Sequence, residues 1–237
     1  MKKFAEEISY VEDNIQVYCD TMLGAEWVPD TNLPLSVCAD LVEFILDQEQ
    51  NNVDAIISDT MVYSYDADYV REKVIPRFGK AECLENRIII VQKALDAHCS
   101  GDYELSVPVL CAQVEGTLRG GAIDQSPKSE LQRILQERLY AVITEPLRMA
   151  DVPWEEAEKV LYPHGGFVTY PPVSERRYAS VKRFVNEQFY GDFRTDSPLN
   201  RNRILHGIDN NYASEAISLR AVLLLEFVVD CIEKLSE

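Results

Sequence analysis

The chain has 237 residues, 46% of them hydrophobic, and a formal net charge of −17. That length suits one large domain or one domain with an extension, and the apolar fraction supports a sizeable core. The acidic balance argues against a protein that coats nucleic acid over its whole surface. No apolar run of about 18 residues is present to span a membrane, and Met1–Glu7 turns acidic before any apolar stretch, the reverse of a secretory signal.

Helical periodicity recurs along the chain and strand alternation is nearly absent, so the expected fold class is all-α. A first helix is predicted over 3–23, ending at Gly24. Pro29–Asn32 is a turn, and Pro34 sits in the first turn of a helix running to about Gln50. Residues 53–64 fit either a helix or a strand, and 67–76 suit a short helix. The break at Phe78–Lys80 divides the sequence into an N-terminal helical extension, 1–79, and a helical domain, 80–237.

In the second part, Leu84, Ile88, Val91 and Leu95 line one face of a helix that ends near Ser100 and Gly101. Tyr103–Arg119 is a second helix, closed by Gly120 and Gly121. Ser126 and Pro127 open a third, with Leu131, Leu135, Leu139 and Val142 on one side and Pro146 to end it. Asp151–Pro153 starts a short helix, and 165–173 reads as a loop or short edge strand. Ser174 caps a helix to about Tyr190. Ser197 and Pro198 start a short helix that stops at Gly207. The last helix, 214–235, is expected to bury Ile217, Ala221, Leu224, Val228, Ile232 and Leu235.

The six cysteines, Cys19, Cys38, Cys83, Cys99, Cys111 and Cys231, form no closely spaced pair, and most sit among apolar helix residues. They read as small hydrophobes in a reducing cytoplasm, with no disulfide framework. His98 beside Cys99 lacks a second pair at ligand spacing, so no metal or cofactor is expected. His164, in Pro163–Gly166, has no nucleophile motif near it. Val114–Gly121 lacks the strand and the Lys-Ser/Thr of a phosphate loop.

Charge is unevenly distributed. Residues 171–220 hold eight basic residues (Arg176, Arg177, Lys182, Arg183, Arg194, Arg201, Arg203 and Arg220) against six acidic ones, a net +2, so the rest of the chain carries −19. Within this stretch lies Asn200–Gly207, Asn-Arg-Asn-Arg-Ile-Leu-His-Gly. If it is helical, Asn202 and His206 share a face at i and i+4, while Arg201 lies about 140° round from His206 and flanks it. Gly207 suits a left-handed helix end. An arginine fork fits phosphate oxygens, and histidine moves protons near neutral pH. Both side chains are expected at a polar surface. Glu115 is a carboxylate in an otherwise apolar helix and needs a partner; Arg201, His206 or a tyrosine would serve. The bland alternatives are a capping role for His206 and an ion pair of Arg201 with Asp196 or Asp209.

Arg201 and His206, with four residues between them and a polar Asn202 after the arginine, resemble the signature of the HEPN domain. This helical module is named for its occurrence in higher eukaryotes and prokaryotes and is often a ribonuclease; its signature sets an arginine four to six residues before a histidine. The likeness extends to the helix that follows Gly207–Tyr212 and to Val107–Gly116, similar to the inner helix before the motif. It covers roughly 80–237; residues 1–79 match no known pattern. The resemblance, closest to bacterial and phage-defence proteins, implies a HEPN-type helical bundle and a metal-independent endoribonuclease. In that reading His206 is the general acid or base, Arg201 neutralises phosphate charge, Asn202 positions one of them, and Glu115 and Arg203 support. It further implies an RNA substrate, a homodimer with a composite site, and an antitoxin or regulatory partner. Some HEPN toxins carry a tyrosine two residues after the histidine. Here that position is Ile208, and Tyr212 is displaced, so regulation through that tyrosine is not expected.

Overall fold

The computed structural model describes residues 17–29, 53–119 and 179–236, together with Asp40, Leu41, Glu43, Phe44, Ser129 and Arg133. Every regular element among these residues is helical, so the expectation of an all-α chain holds. No described helix is long and apolar enough to cross a membrane. The chain divides into two compact units, each discontinuous in sequence: 1–57 with 136–181, and 58–135 with 182–237. The sequence-based boundary at 79/80 falls inside the second unit.

In the first unit, residues 17–24 form a helix that buries Tyr18, Cys19, Met22 and Leu23. It ends where Trp27 N–H bonds the Met22 carbonyl at 2.8 Å and Glu26 takes a positive φ of 61°. Trp27 and Val28 are buried behind that turn. The predicted helices opening at Ser126 and Asp151, and the 165–173 segment with His164, lie outside the described residues, as does all but a few residues of the one opening at Pro34.

Residues 53–64, ambiguous in sequence, form a helix, α1 (Val53–Ser64). A second helical run, α2, is α over Ala67–Tyr69, π over Val70–Val74 and α over Ile75–Phe78, opened by the Asp66 carboxylate, which accepts from Tyr69 N–H. A 3₁₀ turn, Glu82–Leu84, leads to α3 (Ile88–Cys99). α3 buries Val91, Ala94, Leu95 and His98, the i, i+3, i+4, i+7 stripe of a helix with one core face. Gly101, at φ 81°, turns the chain into α4 (Tyr103–Arg119), whose bounds coincide with the sequence prediction. Val107, Leu110, Cys111, Val114 and Leu118 form its buried stripe. Val114–Arg119 is therefore helical and holds no phosphate loop.

α4 packs against both α3 and the last helix, α6 (Glu215–Ser236). α6 is more deeply buried than its sequence pattern suggests. Ala221, Leu224 and Val228 are buried as expected and Ile217 and Ile232 only half so, yet every residue from 218 to 229 is buried. Among them are Ser218, Arg220 and Glu226. Buried polar atoms need partners. Ser218 Oγ lies 2.8 Å from His98 Nδ1 and 2.6 Å from Ser106 Oγ, a polar relay joining α3, α4 and α6. Glu226 Oε1 accepts from Arg77 at 2.6 Å, and the same guanidinium bonds Asp230. Glu233 Oε1 accepts from Cys83 N–H at 2.9 Å. Glu226, Asp230 and Glu233 thus line one face of α6 and tie it to α2 and the 3₁₀ turn.

Candidate active site

The signature segment forms a short helix, α5 (Arg201–Leu205). It starts three residues later than Ser197 and Pro198 suggest, because Asn200 takes the cap. Asn200 is 0% exposed and uses both ends of its amide. Its Oδ1 accepts from Asn202 N–H at 3.1 Å and Arg203 N–H at 3.4 Å, and its Nδ2 donates to the carbonyls of Asp192 at 2.9 Å and Thr195 at 3.1 Å. One side chain therefore opens the helix and pins the preceding loop to it.

The helix closes as the sequence foresees. Gly207 is left-handed at φ 68°, Gly207 N–H bonds the Ile204 carbonyl, and Ile208 N–H bonds the Arg203 carbonyl at 2.9 Å. This pair of bonds is the Schellman motif, and it fixes His206 as the last helical position.

Arg201 is not a surface side chain: 19% of it is exposed, and 14% of its partner Glu115. Its Nη2 donates to Glu115 Oε2 at 2.6 Å, bridging α5 to α4, and its Nη1 donates to Asn202 Oδ1 at 2.5 Å. The guanidinium carbon lies over the Tyr190 ring, 5.7 Å from its centroid, within cation–π range. Burial, with the Glu115 carboxylate alongside, pushes the Tyr190 phenol well above its ordinary value. Burial likewise pushes the nearby Cys111 thiol up to about 12. Arg201 Nε is buried and finds no hydrogen-bond partner among the described residues. The ion pairs with Asp196 or Asp209 weighed from sequence do not form here; Glu115, seen as a partner for Arg201, takes the role.

Asn202 completes this corner by donating from Nδ2 to the Gly191 carbonyl at 3.0 Å. Arg203 turns away, its Nη1 donating to Asp196 Oδ1 at 2.9 Å. His206 is exposed, and its ring meets Phe193 edge to face, centroids 5.5 Å apart. The structure thus brings Arg201, Asn202 and Glu115 together. It sets Arg203 apart with Asp196, and His206 in solvent at the other end of the same short helix.

The stretch that is basic in sequence is not an open basic surface. Arg183, Arg194, Arg201 and Arg203 each pair with a carboxylate, and Arg220 is buried. Arg176 and Arg177 lie outside the described residues. Sequence reasoning missed three contributors: Asn200, Tyr190 and Phe193. Only Asn200 carried a readable signal, as an asparagine before a helical turn. Comparison of the chain with protein-family models, with curated proteins and with solved structures finds no match in any of the three.

Proposed function

We propose that the chain is a metal-independent endoribonuclease of the HEPN class, a cytoplasmic toxin-like or anti-phage effector, with residues 80–237 forming the HEPN-type bundle. The observation that carries this reading is the division of labour along α5. A buried arginine held by Glu115, Asn202 and Tyr190 stands at its start, and an exposed histidine fixed by a Schellman turn at its end. A phosphate near Arg201 would meet a guanidinium already oriented, which costs little reorganisation in the transition state. His206 is free to take the proton of a ribose 2′-hydroxyl. That oxygen attacks phosphorus, the bond to the 5′-oxygen breaks, and the leaving oxygen gains a proton. Two copies facing across a two-fold axis would supply one imidazole for each transfer.

A second reading is favoured by a different observation. Both terminal nitrogens of Arg201 are engaged and most neighbouring arginines are paired. A catalytically silent module for dimerisation or for binding a nucleotide or protein uses the same Glu115–Arg201 bond as a strut between helices.

The two are separated by incubating the protein with total RNA in EDTA beside His206→Ala and Arg201→Lys. The ribonuclease cleaves in EDTA and leaves 2′,3′-cyclic phosphate ends. His206→Ala is expected to lose about 10²–10⁴-fold, the usual worth of positioned proton transfer. Arg201→Lys keeps the charge but loses the fork, and falls by a smaller factor. Cleavage unchanged in His206→Ala removes the catalytic assignment.

A further inference from the structure

Resting on the ribonuclease reading, we propose that Phe193 is a stacking platform for an unpaired nucleobase of the RNA, beside His206. Phe193 is 49% exposed although it is a large apolar ring. It is not loose. Asp192 and Thr195 on either side of it have their carbonyls held by buried Asn200, and Thr195 N–H bonds the Asp192 carbonyl at 2.9 Å. The Asp192 carboxylate grips Arg194 through its backbone N–H at 2.9 Å and its guanidinium at 3.1 and 3.2 Å. Gly191, just before, must lack a side chain, since a Cβ there would stand 2.7 Å from the Glu187 carbonyl oxygen. Its own carbonyl is held by Asn202. The crest that carries Phe193 is thus fastened to the two asparagines that begin α5, and the spacing from Phe193 to His206 is set by backbone bonds rather than by side-chain chance.

Stacking is the recognition this surface favours. The chain carries −17, and Arg194, 90% exposed, is neutralised by Asp192. Phosphate attraction is therefore weak here, whereas a ring face attracts a base whatever the net charge. Every base has such a face, but in a duplex it is already stacked, so the platform selects single-stranded RNA. One projecting ring is far short of the roughly 800 Å² per partner of a stable protein interface.

The test uses the full chain and an uncleavable 2′-O-methyl strand of about ten nucleotides, a length within common single-strand site sizes. A matching strand has abasic positions throughout. Each is titrated against wild type, Phe193→Ala and Phe193→Tyr, with thermal melts to confirm folding. Phe193→Ala is expected to weaken the normal strand by about 5- to 150-fold, the range for losing one aromatic–base stack. Phe193→Tyr should restore binding, and the abasic strand should bind wild type and Phe193→Ala alike. Binding of the normal strand that is unchanged in Phe193→Ala overturns the platform and leaves the ribonuclease reading standing. Equal weakening of both strands makes Phe193 a mere support for His206, and the platform falls. A wild type that binds neither strand removes the platform and the RNA substrate together.

Discussion

The Glu115–Arg201 pair decides how much of the site is structure and how much is chemistry. Both side chains are largely out of solvent, so neither can lose its partner cheaply. Truncating one partner of a buried pair strands the other charge, whereas replacing both with apolar groups can be nearly neutral. Glu115→Ala should therefore destabilise the fold by about 2–4 kcal/mol in urea unfolding. The double replacement Glu115→Leu with Arg201→Met should cost clearly less than the sum of the singles. Additive losses would show that the carboxylate and guanidinium do not support each other. The pairing itself was partly legible in the sequence, because a lone glutamate in an apolar helix demands a partner. That Arg201 would be buried was not legible: nothing local to it signals the Tyr190 ring beneath it.

At the level of elements, the sequence was most readable where structure is local. The bounds of α4, the left-handed stop at Gly207 and the α6 span all follow from periodicity and cap residues within a few positions. It was least readable where helices meet. His98, Ser106 and Ser218 have no periodic signature, and the contacts that join them span more than 100 residues of chain. That junction has a measurable consequence. Burial lowers the His98 pKa to about 4 from an ordinary 6.5. The unfolded chain therefore binds a proton that the folded chain refuses, and stability is complete above pH 6.5 and falls as pH drops from 6.5 towards 4. The loss approaches about 3 kcal/mol, since each pKa unit is worth about 1.36 kcal/mol. Urea titrations at pH 7.5 and 5.0 should differ by about 2 kcal/mol from this group, and His98→Gln should flatten that difference. An equally steep fall in His98→Gln would assign it to other groups.

For the molecule as a whole, the proposed chemistry needs two imidazoles and each chain offers one His206. A two-fold dimer with both copies of 201–206 near its axis is therefore expected at micromolar concentration. Sedimentation of a strictly monomeric species that still cleaves RNA would show that one copy suffices. Neither the division of the chain into units interleaved in sequence nor the neutralised basic stretch could be read from composition. A count of charges knows nothing of which carboxylate folds against which arginine, so a segment of net +2 becomes a surface of ion pairs.

The helix before the site ends in a π turn, Val185–Phe189, where Tyr190 N–H reaches five residues back to the Val185 carbonyl at 2.8 Å. Such a turn holds one residue more than the regular ladder has room for. Deleting any one of those five would heal the ladder and swing everything beyond it by about 100°, the angle of one helical residue. Tyr190 would leave the guanidinium of Arg201, and Gly191 would leave the amide of Asn202. A descendant of this chain could thus keep every letter from Asn200 to Gly207 and still lose the socket, through one missing codon some ten positions upstream.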